Sequence, residues 1–245
     1  MEFDLNSWSK VIPYWEGRDI GQYSDHITVW LDKHIGREGQ NDDLKLKFRT
    51  DIHPLTTLDH EEAEVDPPLH LDPEILELLK DRVYFLKAFF DPEECLKFIN
   101  LYHDRKIFFI TSGSMGEHFL SRIAGLPQIQ EILIFCGNIS HHVHTWAMNY
   151  TEIITAMLDY QTNLLLRLTK DIAKYIEDKG NQHMAHFERN GATTCYAWAI
   201  KLTLRAKKLG DTKSKALLDI LVRKFEDAEP AGGVAPVEHM EQDQQ

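Results

Sequence analysis

Residues 106–138 read KIFFITSGSMGEHFLSRIAGLPQIQEILIFCGN. Ile107 to Ile110 form a short apolar run that ends in Thr111, Ser112, Gly113 and Ser114. Phe119, Leu120, Ile123 and Ala124 follow at helical spacing, Gly125-Leu126-Pro127 stops that pattern, and a second apolar run from Ile132 to Phe135 ends in Cys136, Gly137 and Asn138. Two continuous apolar runs, each closed by a glycine-bearing turn and joined by a helix, predict a βαβ unit whose parallel strands are buried on both faces.

The same alternation extends in both directions. Ile27 to Leu31, ending at Asp32, and Val83 to Phe89 read as the first and second strands. Asp72-Pro73 and Asp91-Pro92 each combine an N-cap residue with proline at the first helical position, so each predicts a helix start. Ser140 is expected to cap a helix that turns Val143, Trp146, Ala147 and Tyr150 inward; Ile153 to Leu158 supplies a fifth strand. Leu165, Leu168, Ile172 and Ile176 give residues 162–177 a regular helical stripe. This order predicts an α/β fold, a flavodoxin-like doubly wound sheet of five parallel strands in the order 2-1-3-4-5 with a C-terminal helical extension.

The expected organisation is an aromatic N-terminal flap at 1–26, the α/β domain at 27–179, a basic amphipathic helical extension at 180–228 and a disordered tail at 229–245. Trp8, Val11, Ile12, Tyr14 and Trp15 suit either a flap packed on the domain or a partner-binding peptide. Within the domain, residues 33–72 are polar, with an acidic tract at Asp59, Glu61, Glu62, Glu64 and Asp66. They read as a solvated, disordered insertion or as a docking strip for a basic partner. In the extension, 193–209 and 215–225 read as amphipathic helices, and 201–224 holds eight Lys and Arg against Asp211 and Asp219. That surface suits packing across the domain to meet the acidic insertion, an acidic partner or lipid surface, or a calmodulin-type target, with simple packing and solvated lysines as the default.

The 245 residues carry a formal net charge of −12, which argues against nucleic acid as a general partner. Cys95, Cys136 and Cys195 are an odd, widely spaced set, as expected of reduced thiols in a cytoplasmic protein. No signal-peptide pattern and no transmembrane run of about 18 apolar residues is present.

VWLD at 29–32, EILELLKDRVYFLKAFFDPEECLKFI at 74–99, the stretch 106–138 and the Trp-bearing helix at 141–150 resemble an N-terminal α/β module. That module occurs in large invertebrate proteins that also carry tetratricopeptide repeats and an ADP-ribosyltransferase domain. The resemblance covers about residues 27–179, is most specific at SGSMG and FCGN, and implies a receiver- or TIR-like fold. Transferase activity does not carry over: the only E-x-E, Glu62-Ala63-Glu64, lies in the acidic insertion without the Arg and Ser-Thr-Ser strand such an enzyme needs.

Open α/β sheets bind ligands at the carboxyl ends of their strands, at the switch point. Here that crevice is expected to gather Asp32, Ser112, Gly113, Ser114 and Gly116, with Gly137 and Asn138 after the next strand. Backbone N–H groups at a glycine-bearing helix start, with serine hydroxyls, can hold an anion; the same residues are also what a tight strand-to-helix turn prefers. Receiver-type phosphotransfer lacks its groups, because Thr111-Ser112-Gly113 and Asp159-Tyr160 stand where an acceptor Asp and a Lys are needed. Ser114 falls short of a G-x-S-x-G elbow. His118 is the histidine one turn on from Ser114; His141, His142 and His144 read as a solvated helix end rather than a metal set, and Cys136 as a packing thiol rather than a nucleophile.

The expected function is therefore a non-catalytic intracellular signalling or scaffold module acting through protein contacts, with no cofactor, no metal and no catalytic residue. The alternative is a phosphate- or nucleotide-binding, hydrolase-like enzyme that uses the Ser112 to Gly116 turn with Asp32.

Overall fold

The computed structural model describes residues 5–16, 19–33 and 82–229. Apart from Lys33, the expected insertion lies outside the described residues, as do the helix start at Asp72 and residues 230–245.

Five strands form one sheet: β1 (His26–Leu31), β2 (Leu86–Phe89), β3 (Lys106–Thr111), β4 (Ile129–Phe135) and β5 (Ala156–Leu158). Every pairing is parallel and the order is β2-β1-β3-β4-β5, the flavodoxin-like arrangement that the alternating pattern predicts. Continuous apolar runs are the mark of strands covered on both faces. Val29, Leu31, Ile107, Phe109, Ile132 and Ile134 pack on one face with Cys95, Ile99, Phe119, Leu120, Ile123 and Trp146. On the other, Thr28, Trp30, Phe108, Ile110, Leu133 and Phe135 are also buried, and the Trp30 indole meets the Phe135 ring edge-on at 5.9 Å.

Helices follow the strands in turn: α2 (Pro92–Leu101) after β2, α3 (Gly113–Ile123) after β3, α4 (Ile139–Thr145) after β4 and α5 (Gln161–Ala185) after β5. The Asp91 carboxylate accepts the Glu94 N–H at 2.9 Å with Pro92 at the first helical position, as the sequence implies. On the surface Arg122 reaches from α3 to Glu93 on α2 with both guanidinium arms, at 2.6 and 2.8 Å, and holds the Glu93 carboxyl below its ordinary range.

Four boundaries differ from the sequence reading. The second strand begins at Leu86 rather than Val83, because Arg82–Tyr84 tighten into a 3-10 turn and Phe85 takes a left-handed φ of +46°. The fifth strand keeps only Ala156–Leu158. Asn138, not Ser140, caps α4, which gives way to a second 3-10 turn at Ala147–Tyr150. Finally, the helix expected over 162–177 runs on through Gly180 to Ala185.

The chain divides into two compact units, one of residues 25–168 that holds the sheet and one formed by residues before Asp25 and after Leu168. The second unit is helical, built from α1 (Leu5–Glu16), the later part of α5, α6 (Arg189–Lys208) and α7 (Ser214–Ala228). The aromatic N-terminus is a helix here: Tyr14 meets Phe225 edge-on at 5.3 Å and the Trp15 indole N–H donates to the Ala197 carbonyl at 2.7 Å. At Gly180 a Cβ would lie 2.6 Å from Tyr196 Cε1, so this glycine lets α5 and α6 approach instead of ending a helix. The expected amphipathic pattern of α6 holds only toward its C-terminal end, where Leu202, Thr203 and Ala206 are buried and Lys207 and Lys208 exposed; every residue from Gly191 to Ile200 is buried. Among the described residues no helix is long and apolar enough to cross a membrane.

Candidate functional site

The residues predicted from sequence do come to one end of the sheet. Leu31 and Thr111 are register partners, so Asp32 and Ser112 leave neighbouring strands together at the β1/β3 switch point. The Ser112 N–H donates to the Leu31 carbonyl at 3.3 Å and the Asp32 N–H to the Phe89 carbonyl at 2.9 Å. Gly113, Ser114 and Gly116 open α3 directly after Ser112, while Gly137 and Asn138 follow β4 on the exposed rim, where the Asn138 side chain accepts the His141 N–H at 3.1 Å.

The centre of this arrangement is filled by a residue that the sequence reading set aside. His142, on α4, is 1% exposed, which corrects its placement at a solvated helix end. A Cβ on Gly113 would fall on its imidazole, against Nε2 and 2.6 Å from Cε1. Position 113 therefore has to be glycine because of this close approach. The Trp146 indole N–H donates to His142 Nδ1 at 3.0 Å. An indole N–H can only donate, so Nδ1 carries no proton and the ring's N–H is at Nε2, on the Gly113 side. Gly116 is crowded as well: a Cβ there would lie 3.1 Å from the Trp146 ring and 3.2 Å from the Thr111 methyl.

An anion cradle at a helix start needs its backbone N–H groups open to the ligand. In this chain Ser112, Gly113 and Gly116 are buried, and imidazole and indole rings pack on the two glycines. Ser112 stands at the N-cap of α3 but its side chain makes no capping bond, and its hydroxyl is buried with no hydrogen-bond partner. Leaving such a group unpaired costs about 1–3 kcal/mol.

The thiols are equally closed. Cys95, Cys136 and Cys195 are all buried and none is in a disulfide. Burial raises the Cys95 thiol far above its ordinary value and pushes Cys195 up to about 12, so neither is a thiolate near neutral pH. Among the described residues no three His, Cys, Asp or Glu side chains are placed to hold a metal ion.

In the helical unit, α5 ends in a Schellman motif: the Glu188 N–H donates to the His183 carbonyl at 2.8 Å and the Phe187 N–H to the Met184 carbonyl at 3.1 Å. Helix α6 ends the same way, with the Asp211 N–H on the Ala206 carbonyl and the Gly210 N–H on the Lys207 carbonyl. The left-handed position is filled by Gly210 at φ +102° in one motif and by Phe187 at φ +62° in the other. Phe187 is also 92% exposed. The His183 ring holds the turn from both sides, Nδ1 to Glu188 Oε2 at 2.6 Å and Nε2 to the Tyr23 carbonyl at 3.2 Å. Nothing in HMAHFERN marks Phe187 in advance; a non-glycine residue between two helical patterns is the one available hint.

No family model, curated protein or solved structure matches the chain.

Proposed function

We propose that this chain is a non-catalytic, intracellular signalling or scaffold module that works through protein–protein contacts. The observation that carries the reading is Phe187. A left-handed backbone costs a residue with a Cβ about 1–2 kcal/mol, and a phenylalanine ring left in water forgoes about 1.5–3 kcal/mol of burial. Both costs fall on one residue, in a turn whose twin uses glycine. A rigid, exposed aromatic is what a protein partner uses as an anchor, with polar neighbours such as His186, Glu188 and Arg189 as its rim.

The closed sheet end supports the same reading, because the glycines that would cradle an anion serve to seat His142 and Trp146. Buried thiols outside any disulfide suit a reducing, cytoplasmic compartment. The resemblance to a receiver- or TIR-like module points in the same direction.

A second reading rests on the unpaired Ser112 hydroxyl: a phosphate- or nucleotide-binding, hydrolase-like site of Ser112 to Gly116 with Asp32, which requires His142 to swing away. Nucleotide hydrolysis assays separate the two. Turnover that disappears in Ser112→Ala and Asp32→Ala overturns the module reading; no turnover with ATP, GTP or NAD is the expected result.

A further inference from the structure

We infer that the corner between α6 and α7 is a docking surface for an acidic segment of a partner protein. The inference rests on the protein-contact reading above and names a surface about 30 Å from Phe187, at the other end of the 20-residue α6.

Lys207, Lys208, Lys213 and Lys215 are all exposed at this corner, and none makes an ion pair among the described residues. Carboxylates outnumber Lys and Arg by 39 to 27 in the chain, so cations have partners at hand elsewhere. Lys10, Lys97, Arg122, Lys170, Lys174 and Lys224 all take one.

The one carboxylate within the corner is used up. Asp211 Oδ1 accepts from Lys170 Nζ at 2.7 Å and Oδ2 from the Ser214 hydroxyl at 2.7 Å, so it forms an ion pair with none of the four lysines, although the Lys213 charge helps to hold its carboxyl below the ordinary range. The Schellman bonds at Gly210 hold the turn that displays them.

Charge complementarity selects an anionic occupant, and the surroundings select a peptide. No large apolar side chain from 207 to 215 is exposed, so the corner has nothing to insert into a bilayer. The rest of the chain is net acidic, and a flat anionic surface would bring that charge up with the corner, whereas a short acidic strand meets the lysines alone.

The test is fluorescence anisotropy with the full chain and a labelled octaglutamate peptide at 50 and 300 mM salt. It is run beside Lys208→Glu/Lys213→Glu and the charge-matched Arg82→Glu/Lys97→Glu, with vesicles of 30% phosphatidylserine as a second probe. The expected result is binding that weakens about tenfold or more on adding salt and on reversing the corner, with the control pair unchanged and vesicles left unbound. No binding at 50 mM salt, equal loss in both double variants, or tighter binding to vesicles than to peptide would overturn the inference. The module reading fails by a different route, nucleotide turnover, so the two failures are distinguishable.

Discussion

The imidazole of His142 occupies the space that a side chain at residue 113 would need, and the Trp146 indole holds the ring there by its bond to Nδ1. A glycine that sequence logic assigns to an anion cradle is thus a seat for a buried ring. Gly113→Ala should lower stability by about 2–3 kcal/mol through overpacking. His142→Ala should cost about 2–4 kcal/mol through a cavity and an orphaned indole N–H. Because the new methyl enters the space the ring vacates, the double variant should be more stable than the sum of the two by about 1 kcal/mol or more. Urea unfolding of the four proteins measures this coupling, and strict additivity would show that the two residues do not meet.

At the end of α5, Phe187→Gly relieves the left-handed backbone. Stability should rise by about 1 kcal/mol, while Phe187→Ala, which keeps a Cβ, should bring no gain. Thermal unfolding of the two variants separates backbone relief from loss of the ring. A less stable Phe187→Gly would mean that the ring is packed and the turn is not under strain.

Helix α6 governs the alkaline limit. Burial, then the nearby Glu177 charge, pushes the Tyr196 hydroxyl up to about 12, and burial pushes Cys195 up to about 12. Both groups hold their protons more tightly when folded. Their contribution is complete below the unfolded values of about 8.5 for Cys and about 10 for Tyr, and is lost as pH rises through the folded ones. Urea midpoints should therefore fall between about pH 9 and pH 12, less steeply in Tyr196→Phe. In the native state at pH 8 Cys95 and Cys195 should resist a thiol reagent and react only after unfolding. Rapid labelling without unfolding would contradict the burial on which the argument stands.

The sheet was readable because buried parallel strands leave continuous apolar runs: Ile107 to Ile110 and Ile132 to Phe135 sit where the pattern puts them. Asp32, Ser112 and Asn138 could be brought together for the same reason, since strand order alone sends them to one end. What closes that end was not readable. Gly113 and His142 are 29 residues apart, and nothing local to either shows that they touch.

Helix α6 misled for a chemical reason. Thr193, Thr194 and Thr203 look polar in sequence, yet their hydroxyls donate to the Arg189, Asn190 and Ala199 carbonyls one turn back and can be buried. Lys201 lies across the Trp198 ring at 4.4 Å, a cation laid on an aromatic face instead of standing in water. The boundary expected at residue 180 falls inside α5, where the absence of a Cβ on Gly180 makes room for the Tyr196 ring.

The most direct test of the central claim is thermal unfolding of the purified chain with phosphate, ATP, GTP, NAD and magnesium, beside His142→Ala, which uncovers the Gly113 end of α3. A ligand at 100 times its dissociation constant adds about 2.7 kcal/mol, a shift of roughly 5–10 °C for a chain of this size. The account predicts no shift for the wild-type chain with any of them, because imidazole and indole fill the sheet end. A wild-type shift of that size with one phosphate compound, lost in Asp32→Ala, would contradict it and make the β1/β3 crevice a ligand site.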